Sequence, residues 1–256
     1  MAPIRDSDYV QREADLRAAV KALYPAFKRY PFTPEITIKF SRLGPTPLQP
    51  SLRLSQVTGV DLEWAAASGL NTWGSLDEFK AVLPRMLEIV AETGAIARTS
   101  AAHLFQHFSD GNWTHWIKRE QDALSKYMSA LWLRVLSEFP CPLMSAEEAL
   151  CALAGALGRL DPFLVAWERN FEPASAHHLA QFVLDCCDTL EKSKALPNDF
   201  WSRRKELANQ VIIWLQRQSL LTRLEPLFSK FHEADDSACF ARAFDALGSF
   251  QLKHAS

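Results

Sequence analysis

The chain has 256 residues, 48% of them hydrophobic and 23% charged, with a formal net charge of −2. That composition excludes a disordered chain and supports a substantial core in one large body or two small ones. Charge is unevenly placed: residues 1–60 carry nine Lys/Arg against five Asp/Glu, and residues 61–256 carry nineteen against twenty-five. An acidic body lacks the basic footprint that nucleic acid requires, so no nucleic-acid partner is expected.

The opening residues mix acids and bases and hold no apolar run of the kind that a signal peptide needs. No later stretch approaches the roughly 18 uncharged apolar residues of a spanning helix, so a cytoplasmic protein without a membrane partner is expected. The five cysteines (Cys141, Cys151, Cys186, Cys187 and Cys239) are odd in number and form no C-x-x-C pair. They read as reduced core thiols rather than a disulfide framework or zinc ribbon.

In chain order, Val10, Leu16, Val20, Leu23 and Phe27 recur at helical spacing between Asp6 and Arg29, and Pro25 should bend or end that helix. A Pro-rich connector over about 30–58 follows. Within it Glu35–Phe40 alternates polar and apolar residues as the single strand candidate, an extended strap. Helical pattern resumes in VDLEWAAASGL and again in SLDEFKAVLPRMLEIVAETG. The second segment carries a Ser75/Glu78 capping box, a kinking Pro84 and a Gly94 stop.

Further helices are predicted at about Thr99–Phe108, Trp113–Phe139, Ala146–Leu157 (boxed by Ser145 and Glu148) and Asp161–Asn170. Pro140-Cys141-Pro142 divides the chain into lobes 1–140 and 141–256. Beyond it the spacing predicts helices at about Ala176–Lys194, Asp199–Gln218, Leu221–His232 and Ser237–Leu252. The expectation is one all-α domain over 1–256, a single multi-helix body of stacked antiparallel helices with one irregular connector.

Candidate chemistry is sparse. His103 and His107 stand one helical turn apart, with His115 after the next turn, and two imidazoles at that spacing can share a metal. No Glu follows His103, so the H-E-x-x-H hydrolase motif is missing. His177-His178 near Cys186-Cys187 offers a Cys/His pair, although adjacent helical residues point about 100° apart. The nine glycines form neither a phosphate-binding loop nor a nucleophile elbow, so no cofactor held that way is expected.

The remaining candidates are surfaces. Acidic clusters at Asp185/Asp188/Glu191 and Glu233/Asp235/Asp236 suit docking of a basic partner. Trp116 and Trp132 lie off the main apolar stripe of their helix and could anchor an interface.

The segment LNTWGSLDEFKAVLPRMLEIVAETG, with YPAFKRYPF ahead of it, resembles a bacterial all-helical family carrying a Thr-Trp-Gly…Phe…Leu-Pro-Arg…Leu-Glu pattern. The resemblance spans roughly the first 140 residues and assigns no activity. Members of that family often hold cysteines where this chain has EITIKFSRLG, so it implies no metal or redox role here. In general character the chain is also similar to immunity proteins of bacterial type VI secretion toxin systems. That likeness implies a non-enzymatic protein that neutralises a cytosol-acting toxin, such as a nuclease, by direct binding. The alternatives are a metal-dependent enzyme or metal sensor built on His103 and His107, and a helical scaffold or homodimer.

Overall fold

The structure, a computed structural model, describes residues 3–33, 36, 52–68, 74–193, 195–226 and 234–254. Among them are twelve helices and four two-residue strands, so the chain is all-α as its periodicity predicts. The helices are α1 (Tyr9–Phe27), α2 (Gly59–Ser68), α3 (Leu76–Thr93), α4 (Ala101–Asp110), α5 (Lys118–Leu136) and α6 (Ala146–Ala156). The second half adds α7 (Asp161–Arg169), α8 (Pro173–Ser193), α9 (Asp199–Ser202), α10 (Lys205–Leu215), α11 (Gln218–Leu224) and α12 (Ala234–His254). The strands are β1 (Ile4–Arg5), β2 (Ala95–Ile96), β3 (Thr99–Ser100) and β4 (Glu138–Phe139), paired antiparallel as β1 with β4 and β2 with β3.

Local signals set several boundaries. Ser75 and Glu78 exchange side-chain and backbone bonds at the start of α3, and Ser145 and Glu148 do the same for α6, so both predicted capping boxes form. Gly94 ends α3 at φ 80°, where a Cβ would lie 1.7 Å from the Leu143 carbonyl oxygen, so both backbone and space demand glycine. Neither proline ends its helix: α1 runs through Pro25 to Phe27, and α3 runs through Pro84 to Thr93. Packing offsets the bond that each proline removes, and α3 is buried from Phe79 to Val90 except at Arg85 and Glu88.

Two predicted helices divide. The segment expected from Trp113 to Phe139 is a 3-10 turn at Trp113–His115, an extended pair at Trp116 and Ile117, and then α5. Side chains satisfy the loop here: Trp113 Nε1 donates to Ala156 O, Trp116 Nε1 to Gly111 O, and Gln121 Nε2 to the Thr114 and Trp116 carbonyls. The other, expected from Asp199 to Gln218, breaks at Arg203-Arg204, where Arg204 leaves helical geometry at φ −134°, ψ 51°. The strand expected at Glu35–Phe40 lies outside the described residues except for buried Ile36, whose N–H bonds to Thr33 O at 3.0 Å.

One hydrophobic cluster runs from Leu16 to Phe250 through both halves. Its main helix pairs are α4 on α6, α1 on α5, α8 on α12 and α1 on α3. The alanine-rich α6 permits a close approach: a Cβ at Gly155 would sit 3.1 Å from Ala102 O and from Gln106 N on α4. The predicted lobe boundary is crossed by this core and by hydrogen bonds from Ala174 N–H to Asp6 Oδ1, from His178 Nε2 to Glu138 O and from Trp113 Nε1 to Ala156 O.

Two buried charge networks tie the elements together. Lys80 and Glu120 meet at 3.0 Å, Tyr30 bonds to both, and the Lys80 ammonium lies 4.0 Å from the Trp116 ring centroid. Arg134 joins Glu13, Glu138 and the Tyr9 hydroxyl, and Glu138 also binds Arg5, which ties β1 and α1 to α5 and β4. Asp6, from outside helix α8, accepts the Ala174 N–H at 2.7 Å and so caps that helix across a long sequence interval.

Candidate functional site

The histidine pair has a structural task. Helix α2 is described to Ser68, and two carbonyls of its last described turn meet histidine rings. His103 Nε2 lies 2.9 Å from Ala67 O, and His107 Nε2 lies 2.9 Å from Ala66 O. A carbonyl can only accept, so each imidazole is held as the Nε2–H tautomer and caps α2. The rings meet edge to face at 5.7 Å, with His107 buried and His103 exposed. His107 Nδ1 is 3.5 Å from Asp110 Oδ2, an electrostatic contact longer than a hydrogen bond. Both Nε2 lone pairs are thereby unavailable to a metal, and no group of three His, Cys, Asp or Glu among the described residues is placed to hold an ion.

The second histidine pair is also bound to backbone. His177 Nδ1 donates to Pro173 O at 2.7 Å in the first turn of α8, and His178 Nε2 donates to Glu138 O at 2.9 Å in β4. Phe139 contacts both rings, stacked on His177 at 5.3 Å and edge-on to His178 at 5.0 Å. Burial holds His178 down at about 4, so its ring is neutral at physiological pH. Cys186 is buried, and the Cys187 side chain lies outside the described residues. The Cys141 and Cys151 thiols are pushed above their usual range by burial, the reverse of what an activated nucleophile needs.

The two tryptophans expected at an interface belong to the core. Trp116 is 6% exposed and covers Lys80, while Trp132 is 1% exposed, donates to Phe163 O and packs edge-on against Trp167 at 5.3 Å. Of the acidic clusters, Asp185 is exposed and accepts a 2.7 Å bond from Gln181. The side chains of Asp188, Glu191, Asp235 and Asp236, and all of Glu233, lie outside the described residues.

Among the described residues, a cleft of about 700 Å³ lies between the start of α4, the Leu143–Met144 segment, α6 and α9. Its walls include His103, Gln106, Leu143, Met144, Cys151 and Phe200, with Arg203 and Arg204 at the α9–α10 break. Arg204 is half-buried, stands 5.0 Å from the Phe200 ring centroid, and has no carboxylate within 4.0 Å among the described residues. Desolvation lowers its pKa, and Asp110 opposes this only in part.

Of two other cavities among the described residues, neither holds a half-buried cation without an acid. The recess of about 540 Å³ between α1 and α3 contains the satisfied Arg134 network, and the 180 Å³ polar cavity beside Asp6 sets three arginines against three acids.

The sequence reading weighed acids and histidines and missed Arg203-Arg204. The available signal was two adjacent arginines after an aromatic pair, with Asn198 able to cap a new helix, as it does by accepting the Phe200 N–H.

No known protein family, curated protein or solved structure matches the chain.

Proposed function

We propose that the protein is a non-catalytic binding protein that recognises a protein partner, and that the immunity protein of a bacterial toxin system is the most specific form of this reading. The observation that carries it is the commitment of the histidines. His103, His107, His177 and His178 each donate to a backbone carbonyl and so serve helix ends and packing. General bases and metal ligands need their second ring nitrogen open to a substrate or an ion, and the rings of His107, His177 and His178 are only 2–4% exposed. The uncommitted polar groups lie instead at an open cleft whose size suits a partner's side chains.

Such a protein acts by occlusion. Affinity would come from desolvating arginine and aromatic surface in the cleft, and exposed charges such as Asp185 would steer approach. The test is affinity capture of the tagged chain from its native host at moderate salt, followed by mass spectrometry. The expected result is one stoichiometric protein partner, lost on charge reversal at Arg203 and Arg204 or at Asp185. Recovery of the bare chain from cells that express every neighbouring gene product would contradict it.

A further inference from the structure

We propose that the cleft between α4, α6 and α9 is a binding site for an anionic group, a carboxylate or a phosphoryl, gripped by Arg204 with Arg203 beside it. This rests on the binding role proposed above and gives the chemistry of what enters: an acidic group of the partner, with apolar surface next to it.

Among the described residues the other buried and half-buried lysines and arginines are paired, which isolates Arg204. Lys80 has Glu120, Arg134 has Glu13 and Glu138, Arg85 has Glu88, and Arg217 has Glu168. Removing a guanidinium from water without an acid is costly, so the fold gains nothing by half-burying Arg204 unless something outside the chain completes the pair. The group is also held in place. The helix breaks at this residue, and the guanidinium is set against the Phe200 ring, which leaves its planar fork of donors preorganised.

The acids lining the cleft do not substitute for a ligand. Glu148 accepts the Ser145 N–H at 2.8 Å in the α6 capping box, and Asp199 occupies the first turn of α9. Gln106 spends its amide on Asp110 at 3.0 Å. Leu143, Met144 and Phe200 supply the apolar wall for the rest of the incoming group. Cys151 adds a thiol that burial keeps protonated, so the site calls for recognition without covalent chemistry.

The test uses the full chain without a partner. Inorganic phosphate and citrate are titrated separately at ionic strength held constant with sodium chloride, while the arginine Nε–Hε resonances are followed by NMR. The Arg204 signal is identified by its loss in Arg204→Gln. The expected result is a saturable shift of the Arg204 resonance with at least one of the two anions, and the stronger of them identifies phosphoryl or carboxylate as the preferred source.

Binding followed by backbone amides should weaken about tenfold or more in Arg204→Gln, less in Arg204→Lys, and not at all in Arg223→Gln, at a residue that lines the separate cavity beside Asp6. If Arg204→Gln does not fold, Arg204→Lys carries the comparison, since it keeps the charge and loses only the fork. Shifts that do not saturate with either anion, or that saturate equally in the Arg204 variants, would overturn the proposal. Loss of anion binding with partner capture intact would remove this inference alone. Anion binding with no protein partner would remove the proposed function instead.

Discussion

His107 shows how a residue that looks catalytic can be structural. Its Nε2–H satisfies Ala66 O inside the protein, so His107→Ala should leave a buried carbonyl unpaired and open a cavity. The expected cost is about 2–3 kcal/mol in urea unfolding, against less than about 1 kcal/mol for exposed His103→Ala. Equal costs for the two would show that the pair does not cap α2 as described.

Two buried titrating groups make opposed contributions to acid stability. Burial holds His178 at about 4 against an ordinary 6.5, so as pH falls below about 6.5 the unfolded chain takes up the proton first and stability drops down to about pH 4. Asp6 is raised by burial from 3.8 to about 6, so over nearly the same window the native chain binds its proton first and stability rises. Each effect is roughly 2–3 kcal/mol at full extent. Denaturant midpoints measured from pH 7 to pH 4 should therefore fall more steeply in Asp6→Asn than in the parent chain, and less steeply in His178→Gln. The opposite order would contradict both assignments.

At the scale of elements, helix identity was legible wherever a local interaction sets the end. The Ser75/Glu78 and Ser145/Glu148 boxes and the Gly94 stop are short-range and follow from spacing. What stayed hidden depends on distant partners. The break at Trp116-Ile117 is held by indole and glutamine bonds to loop carbonyls, and the strands β1 and β4 are two residues each and exist only because they meet. Trp116 was misread as surface because periodicity does not reveal that Lys80 lies beneath its ring.

The glycines allow a sharp check on this scale. Gly94→Ala should cost more than about 2 kcal/mol, combining left-handed strain with the clash at Leu143. Gly158→Ala, where an added Cβ meets nothing within 4 Å, should fall within about 0.5 kcal/mol of the parent in the same thermal melts.

For the whole molecule, the all-α class followed directly from hydrophobic spacing, whereas the candidate site did not. A cleft is made by elements far apart in sequence, and an arginine declares itself as a binding group only when no carboxylate lies at ion-pair distance from it. The acidic excess of the body remained visible as a bulk property, yet the group singled out by geometry is basic.

The central claim is that histidines hold this fold together while the cleft arginines face outward to a partner. It is tested most directly by comparing Arg204→Gln and His107→Gln for thermal stability and for capture of the partner. Arg204→Gln should stay within about 1 kcal/mol of the parent, because an uncompensated half-buried cation and a single cation–π contact nearly cancel, and it should lose the partner. His107→Gln should melt several degrees lower and keep the partner. The reverse outcome, with the partner lost at His107 and retained at Arg204, would contradict the account.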